Sequence, residues 1–147
     1  MDTANAVTVL NDLIETCRDG ENGFRTAASA VTGHHLKAMF ERYARQRAEM
    51  ARELQEQVRK LGGNPEKMGS SSAILHRGWI NIKALVGASD DQAIVAEAER
   101  GEDAAKAAFE KALKQNLPAG ARELVEQQAA IVFAAHDEVR ALDKSHA

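Results

Sequence analysis

A single cysteine, Cys17, stands in a chain of 147 residues, so no disulfide can close within it. Such a chain suits a reducing compartment, and its N-terminal stretch MDTANAVTVLNDLIE has neither the basic start nor the apolar run of a signal peptide. A cytoplasmic location is therefore expected. Proline occurs only twice and aromatic residues make up 4%, so any core must rest on aliphatic side chains and alanine. No stretch approaches the roughly 18 apolar residues that a bilayer span requires, and no membrane partner is expected. The formal net charge of −3 lacks the basic excess that binding a phosphate backbone needs, and no nucleic-acid partner is expected either. A glycine-rich phosphate loop, a Ser-His-Asp arrangement and zinc-finger spacing are all missing, and Glu-x-x-His occurs nowhere.

What remains is the alphabet of helices. Ala, Glu, Lys, Arg, Gln and Leu dominate, with 44% hydrophobic and 28% charged residues interspersed as on solvated helix faces. Apolar residues recur every three or four positions in four long segments. Residues 4–31 carry Val7, Leu10, Ile14, Cys17, Glu21, Phe24, Ala28 and Val31 on one face. Gly33 breaks the pattern in TGHH. Residues 34–61 carry Leu36, Phe40, Tyr43, Arg47, Met50, Leu54, Val58 and Leu61, and then Gly62 and Pro65 stop the helix. Ser89 and Gln92 form a capping box for a third helix reaching residue 116, with Val95, Ala98, Glu102, Ala105, Phe109 and Ala112 inward. Pro118 opens a fourth, to residue 143, with Ala121, Val125, Gln128, Val132, Ala135, Val139 and Leu142 inward.

Short turns join the first two helices and the last two, giving two antiparallel hairpins. The middle connection is long and contains its own expected helix, residues 71–86, with Leu75, Trp79, Ile82 and Val86 inward. The expected architecture is a single all-α domain over residues 1–147. It is a four-helix bundle of two antiparallel hairpins and a long crossover, the connectivity of ferritin-like bundles. An up-down-up-down bundle with an accessory helix is the alternative.

Four inward stripes carry a polar residue: Glu21, Arg47, Glu102 and Gln128, with His136 one turn from Val132 and Val139. Folding each hairpin back on itself brings these positions to one height. Buried charge must be paired, so one reading is a hydrogen-bonded network in which Arg47 bridges Glu21 and Glu102 and Gln128 and His136 complete the bonds. The other is a carboxylate site for Fe or Mn built on Glu21, Glu102 and His136, with Glu99 or Glu53 beside them. The missing Glu-x-x-His pairs and an inward Arg47 favour the network. Gly20, Gly23 and Gly101 adjoin the two glutamates, in RDGENGF and ERGED, at about 1 kcal/mol each against Ala in a helix. Close helix approach, or room for a large neighbouring side chain, would offset that cost, and a local bulge at a functional site is the further alternative. Cys17 is expected as a buried small hydrophobe and Trp79 as the plug of the crossover. His34, His35 and His146 are expected in solvent, and His76 and Arg77 either in solvent or against the bundle.

The segments LNDLIETCRDGENGFRTAA, YARQRAEMARELQ, LHRGW, AERGEDAAKAAFEKAL and HDEVRAL, in that order, resemble a bacterial family of about this length. That family is described only as a ferritin-like four-helix-bundle domain of unknown function. The resemblance covers nearly the whole chain and implies a ferritin-like fold with the long crossover, and no established activity. Glu21, Arg47, His76, Trp79, Glu102, Asp103 and His136 lie inside the matching segments. The expected protein is a non-enzymatic, stress-related bundle that self-associates into a homo-oligomer, with metal binding as the alternative function.

Overall fold

The computed structural model describes residues 3–65, 79, 82 and 90–145. Four helices account for nearly all of them: α1 (Thr3–Ala30), α2 (His34–Lys60), α3 (Asp91–Leu113) and α4 (Ala119–Ser145). Their ends follow from local chemistry. Past α2, Gly62 takes the left-handed conformation at φ 81°, and the Gly63 amide donates to the Val58 carbonyl at 2.9 Å. That is the glycine-terminated helix end, in which carbonyls of the last turn find donors. α3 is capped by Asp90, not by Ser89 as the capping-box reading has it: the Asp90 carboxylate accepts from the Ala93 amide at 3.0 Å. The Pro118 carbonyl takes the first helical bond of α4, from the Arg122 amide.

The topology follows from two contacts at opposite ends. Asp91, at the start of α3, accepts hydrogen bonds from the Thr32 and Gly33 amides at 2.8 and 2.9 Å, in the turn between α1 and α2. Asn11, near the start of α1, donates to the Asn64 carbonyl just past the end of α2. The chain therefore leaves α2 at one end of the bundle and enters α3 at the other, so α2 and α3 run parallel. This is the two-hairpin, long-crossover bundle expected from the apolar spacing. The expected helix at 71–86 lies outside the described residues, except that Trp79 and Ile82 are both buried.

The apolar core has two parts. One holds Leu10, Leu13, Ile14, Met50, Leu54, Val58, Phe109, Val125 and Val132, and the other Phe24, Phe40, Tyr43, Trp79, Ile82, Ile94, Val95 and Val139. Burial of side chains of this size is worth about 1.5–3 kcal/mol each. Trp79 reaches the second part through a slot between α1 and α3 whose walls are Gly23 and Gly101. A methyl group at either glycine would overlap the indole, so both helices forgo a side chain where the ring enters. The indole then meets Phe24 edge-on, centroids 5.0 Å apart. The two glycine-bearing motifs are thus the two sides of one aromatic seat.

In an open helix position Gly→Ala stabilises by about 1 kcal/mol. Here the sign should reverse. Gly101→Ala is expected to cost about 1–3 kcal/mol by overpacking, and to become neutral or stabilising when Trp79 is also replaced by Ala. Urea denaturation of the two single variants and the double variant measures both effects.

Candidate functional site

Between the two apolar parts lies a polar layer. Arg47 of α2 and Glu102 of α3 meet there with two parallel hydrogen bonds, Nη1 to Oε1 at 2.8 Å and Nη2 to Oε2 at 2.7 Å. Their side chains are 1% and 0% exposed. This is the fork-to-fork geometry that a guanidinium and a carboxylate adopt when both are removed from water. Gly20 makes the space for it: a Cβ there would stand 3.1 Å from Arg47 Nη1. The guanidinium carbon also lies 5.4 Å from the centroid of the Phe24 ring, a cation–π contact inside the core. Burial works to lower the Arg47 pKa, but the charge and hydrogen bonds of Glu102 outweigh it, and the net direction is upward. Arg47 Nε is buried and finds no acceptor among the described residues.

The other polar residues of the stripes are placed differently. Glu21 sits at the edge of α1, where it accepts from Arg25 at 2.7 Å, and its side chain is 23% exposed. The inward position of that turn belongs to Gly20. A stripe written in strict heptad steps drifts by about 20° per heptad on a straight helix, which is enough to carry Glu21 off the central face. Gln128 is buried, and its Nε2 donates to the Met50 carbonyl at 3.1 Å and to Glu53 Oε1 at 3.0 Å. It thus ties α4 to α2 beside the pair. His136 is buried on the α3–α4 seam with Nε2 2.7 Å from Asp103 and Nδ1 3.1 Å from Asp137. Those aspartates are 60% and 77% exposed, so the imidazole addresses the rim of the bundle, not its centre. Further along the same seam a hydrogen bond to Asp143, aided by burial, raises the Glu99 pKa. His34 and His35 are exposed, while His76, Arg77 and His146 lie outside the described residues.

The arrangement joins Arg47 to Glu102 and gives Glu21, Gln128 and His136 other partners. It does not fit a di-iron or di-manganese centre. Glu21, Glu102 and His136 do not converge, and among the described residues no three His, Cys, Asp or Glu side chains do. Both Glu102 oxygens face a guanidinium, which would repel a dication in their place.

Residues 5–115 match the model of a family described as a domain of unknown function, DUF2383. The chain belongs to the DUF2383 family. No curated protein matches it. The DUF2383 match spans α1, α2 and α3. It therefore includes Gly20, Arg47 and Glu102 and the Trp79 seat, whereas Gln128 and His136 follow it.

Reading the stripes alone misses Asn11, Glu15 and Glu97, which are buried as well. Each lies one position from an apolar stripe residue, where sequence spacing does not separate a flank from an interior. Cys17 is buried next to the Arg47–Glu102 layer, and burial pushes its thiol up to about 12 from 9.0. Arg47 pulls the thiol down, while Glu102 and Glu53 push it further up. Cys17 is therefore a packed thiol whose burial disfavours the thiolate.

Glu102→Gln leaves a buried guanidinium without its counter-charge and is expected to cost about 3–5 kcal/mol. Arg47→Met with Glu102→Leu should recover most of that loss, since neither charge is then stranded. Chemical denaturation of the two variants provides the comparison. The Cys17 thiol adds a pH effect of known sign. Its folded pKa lies above 9.0, so the unfolded chain ionises first and stability falls as pH rises from 9 toward 12. The slope approaches about 1.4 kcal/mol per pH unit. Subtracting the pH profile of Cys17→Ala from that of the unmodified chain isolates this loss. Native Cys17 should also resist alkylation until the chain unfolds.

Proposed function

We propose that this DUF2383 protein is a non-enzymatic, ferritin-like helical module. In this reading the centre of its bundle is a structural lock and not a reaction site. The observation that carries the reading is the buried Arg47–Glu102 pair. Ferritin-like metal bundles place inward glutamates in this region to hold cations. Here the protein's own guanidinium neutralises Glu102 and occupies both of its oxygens. Such a pair adds little net stability over apolar packing, but it admits one register of α2 against α3. A stress-related role follows from the likeness to ferritin-like bundles and belongs to the same proposal.

The test is direct. The untagged protein should purify without stoichiometric iron, manganese or zinc by elemental analysis. Fe(II), Mn(II) and Zn(II) at millimolar concentration should leave its melting temperature unchanged. A ligand that binds only the folded state must raise that temperature. One metal ion per chain with a matching upward shift would overturn the reading.

A further inference from the structure

Ile131 is the large hydrophobic side chain most open to solvent among the described residues, at 36% exposure. It stands on a groove of about 350 Å³ between α2 and α4, lined by Tyr43, Gln46, Ile131, Ala134, Ala135 and Glu138. Of the neighbouring helix pairs, α2 and α4 are packed least closely. Trp79 lies on the opposite side of the bundle, between α1 and α3, so the described part of the crossover does not cover this groove. Gln46 Oε1 is buried and has no hydrogen-bond partner among the described residues.

We infer that the α2–α4 face is the contact between two copies of this chain, related by a two-fold axis running along the bundle. The inference extends the structural-module reading by naming the module's partner, and in that sense it rests on it. Three observations select a second copy as the occupant. The first is placement: Ile131 and the groove it lines lie on one face, so a two-fold axis sets each copy's Ile131 and groove against the other's.

The second is charge. With the axis along the bundle, α2 of one copy lies over α4 of the other at equal height. On this face α2 presents Arg42 and α4 presents Glu138. Arg42 and Glu138, 3.7 Å apart within one chain, mark the matching height. Across the axis each would face its opposite charge on the second copy. The third is size. Two helices about 40 Å long and about 10 Å apart present about 800 Å² per copy, the area of a standard stable interface.

Sedimentation velocity over 1–100 μM tests this on the full chain. The expected species is a dimer, twice the 15.9 kDa of one chain. Ile131→Arg should weaken dimerisation at least tenfold while far-UV circular dichroism stays unchanged. Arg42→Glu and Glu138→Arg should each weaken it too, because each sets like charges against one another across the axis. Mixing those two single variants should restore the dimer, since both contacts of the mixed pair again join opposite charges. A monomer at 100 μM, a dimer indifferent to Ile131→Arg, or mixing without recovery would each overturn the inference. Metal binding by a chain that still dimerises would instead sink only the structural-lock reading, so the two fail separately.

Discussion

The middle of the bundle is organised around a guanidinium that cannot lose its charge. Arginine stays protonated at any pH a cell reaches, so Arg47 must have a carboxylate facing it wherever it is buried. Glu102 supplies that carboxylate from a helix separated from α2 by the whole crossover. A pair spanning so many residues is a condition on topology as well as on packing. If the crossover returned to the wrong end, or α3 slid by one turn, the guanidinium would face apolar side chains. In the structural-lock proposal, the pair penalises alternative arrangements more than it stabilises this one.

The neighbouring residues follow from that requirement. Gly20 yields its side chain to the guanidinium, and Phe24 turns a ring face toward it. Phe24 is also the ring that receives Trp79 edge-on in the slot between Gly23 and Gly101. The chain of contact thus runs from the crossover through Trp79 and Phe24 to Arg47 and on to Glu102. The same layer separates two apolar clusters, so the bundle is pinned at its middle while each half packs by ordinary burial. The cost of three helical glycines is offset there by what they admit: a guanidinium and an indole.

The helices were readable from the sequence because their stripes are long and glycine or proline marks several of their ends, although the cap of α3 is Asp90 and not the expected Ser89. The long crossover was readable for a simpler reason, since two short turns flank one connection too long to be a hairpin. The inward polar layer was also visible, because Arg47, Glu102 and Gln128 each interrupt an apolar face. Of the contacts expected there Arg47–Glu102 is present, while Glu21, Gln128 and His136 take other partners. Glu21 and Glu102 look equivalent in sequence, yet one residue of helical rotation puts Gly20 at the centre and leaves Glu21 with Arg25. His136 is buried as its spacing suggests, but ring orientation turns it to Asp103 and Asp137. Heptad arithmetic gives a face to within tens of degrees, and side-chain pairing is decided inside that margin. The seat of Trp79 escaped for another reason: the glycines lie on two helices, and nothing in either segment names the ring they share.

The division of labour along the chain sharpens what the fourth helix contributes. The family match ends at residue 115, and the ion pair and the tryptophan seat are complete before it does. α4 adds an apolar wall of Ala121, Val125, Val132 and Val139 and the inward polar residue Gln128, which bonds to α2 and not to Glu102. Its outward side bears Ile131. The first three helices thus hold the charge pair and the aromatic seat of the interior, while α4 closes the core with its apolar wall.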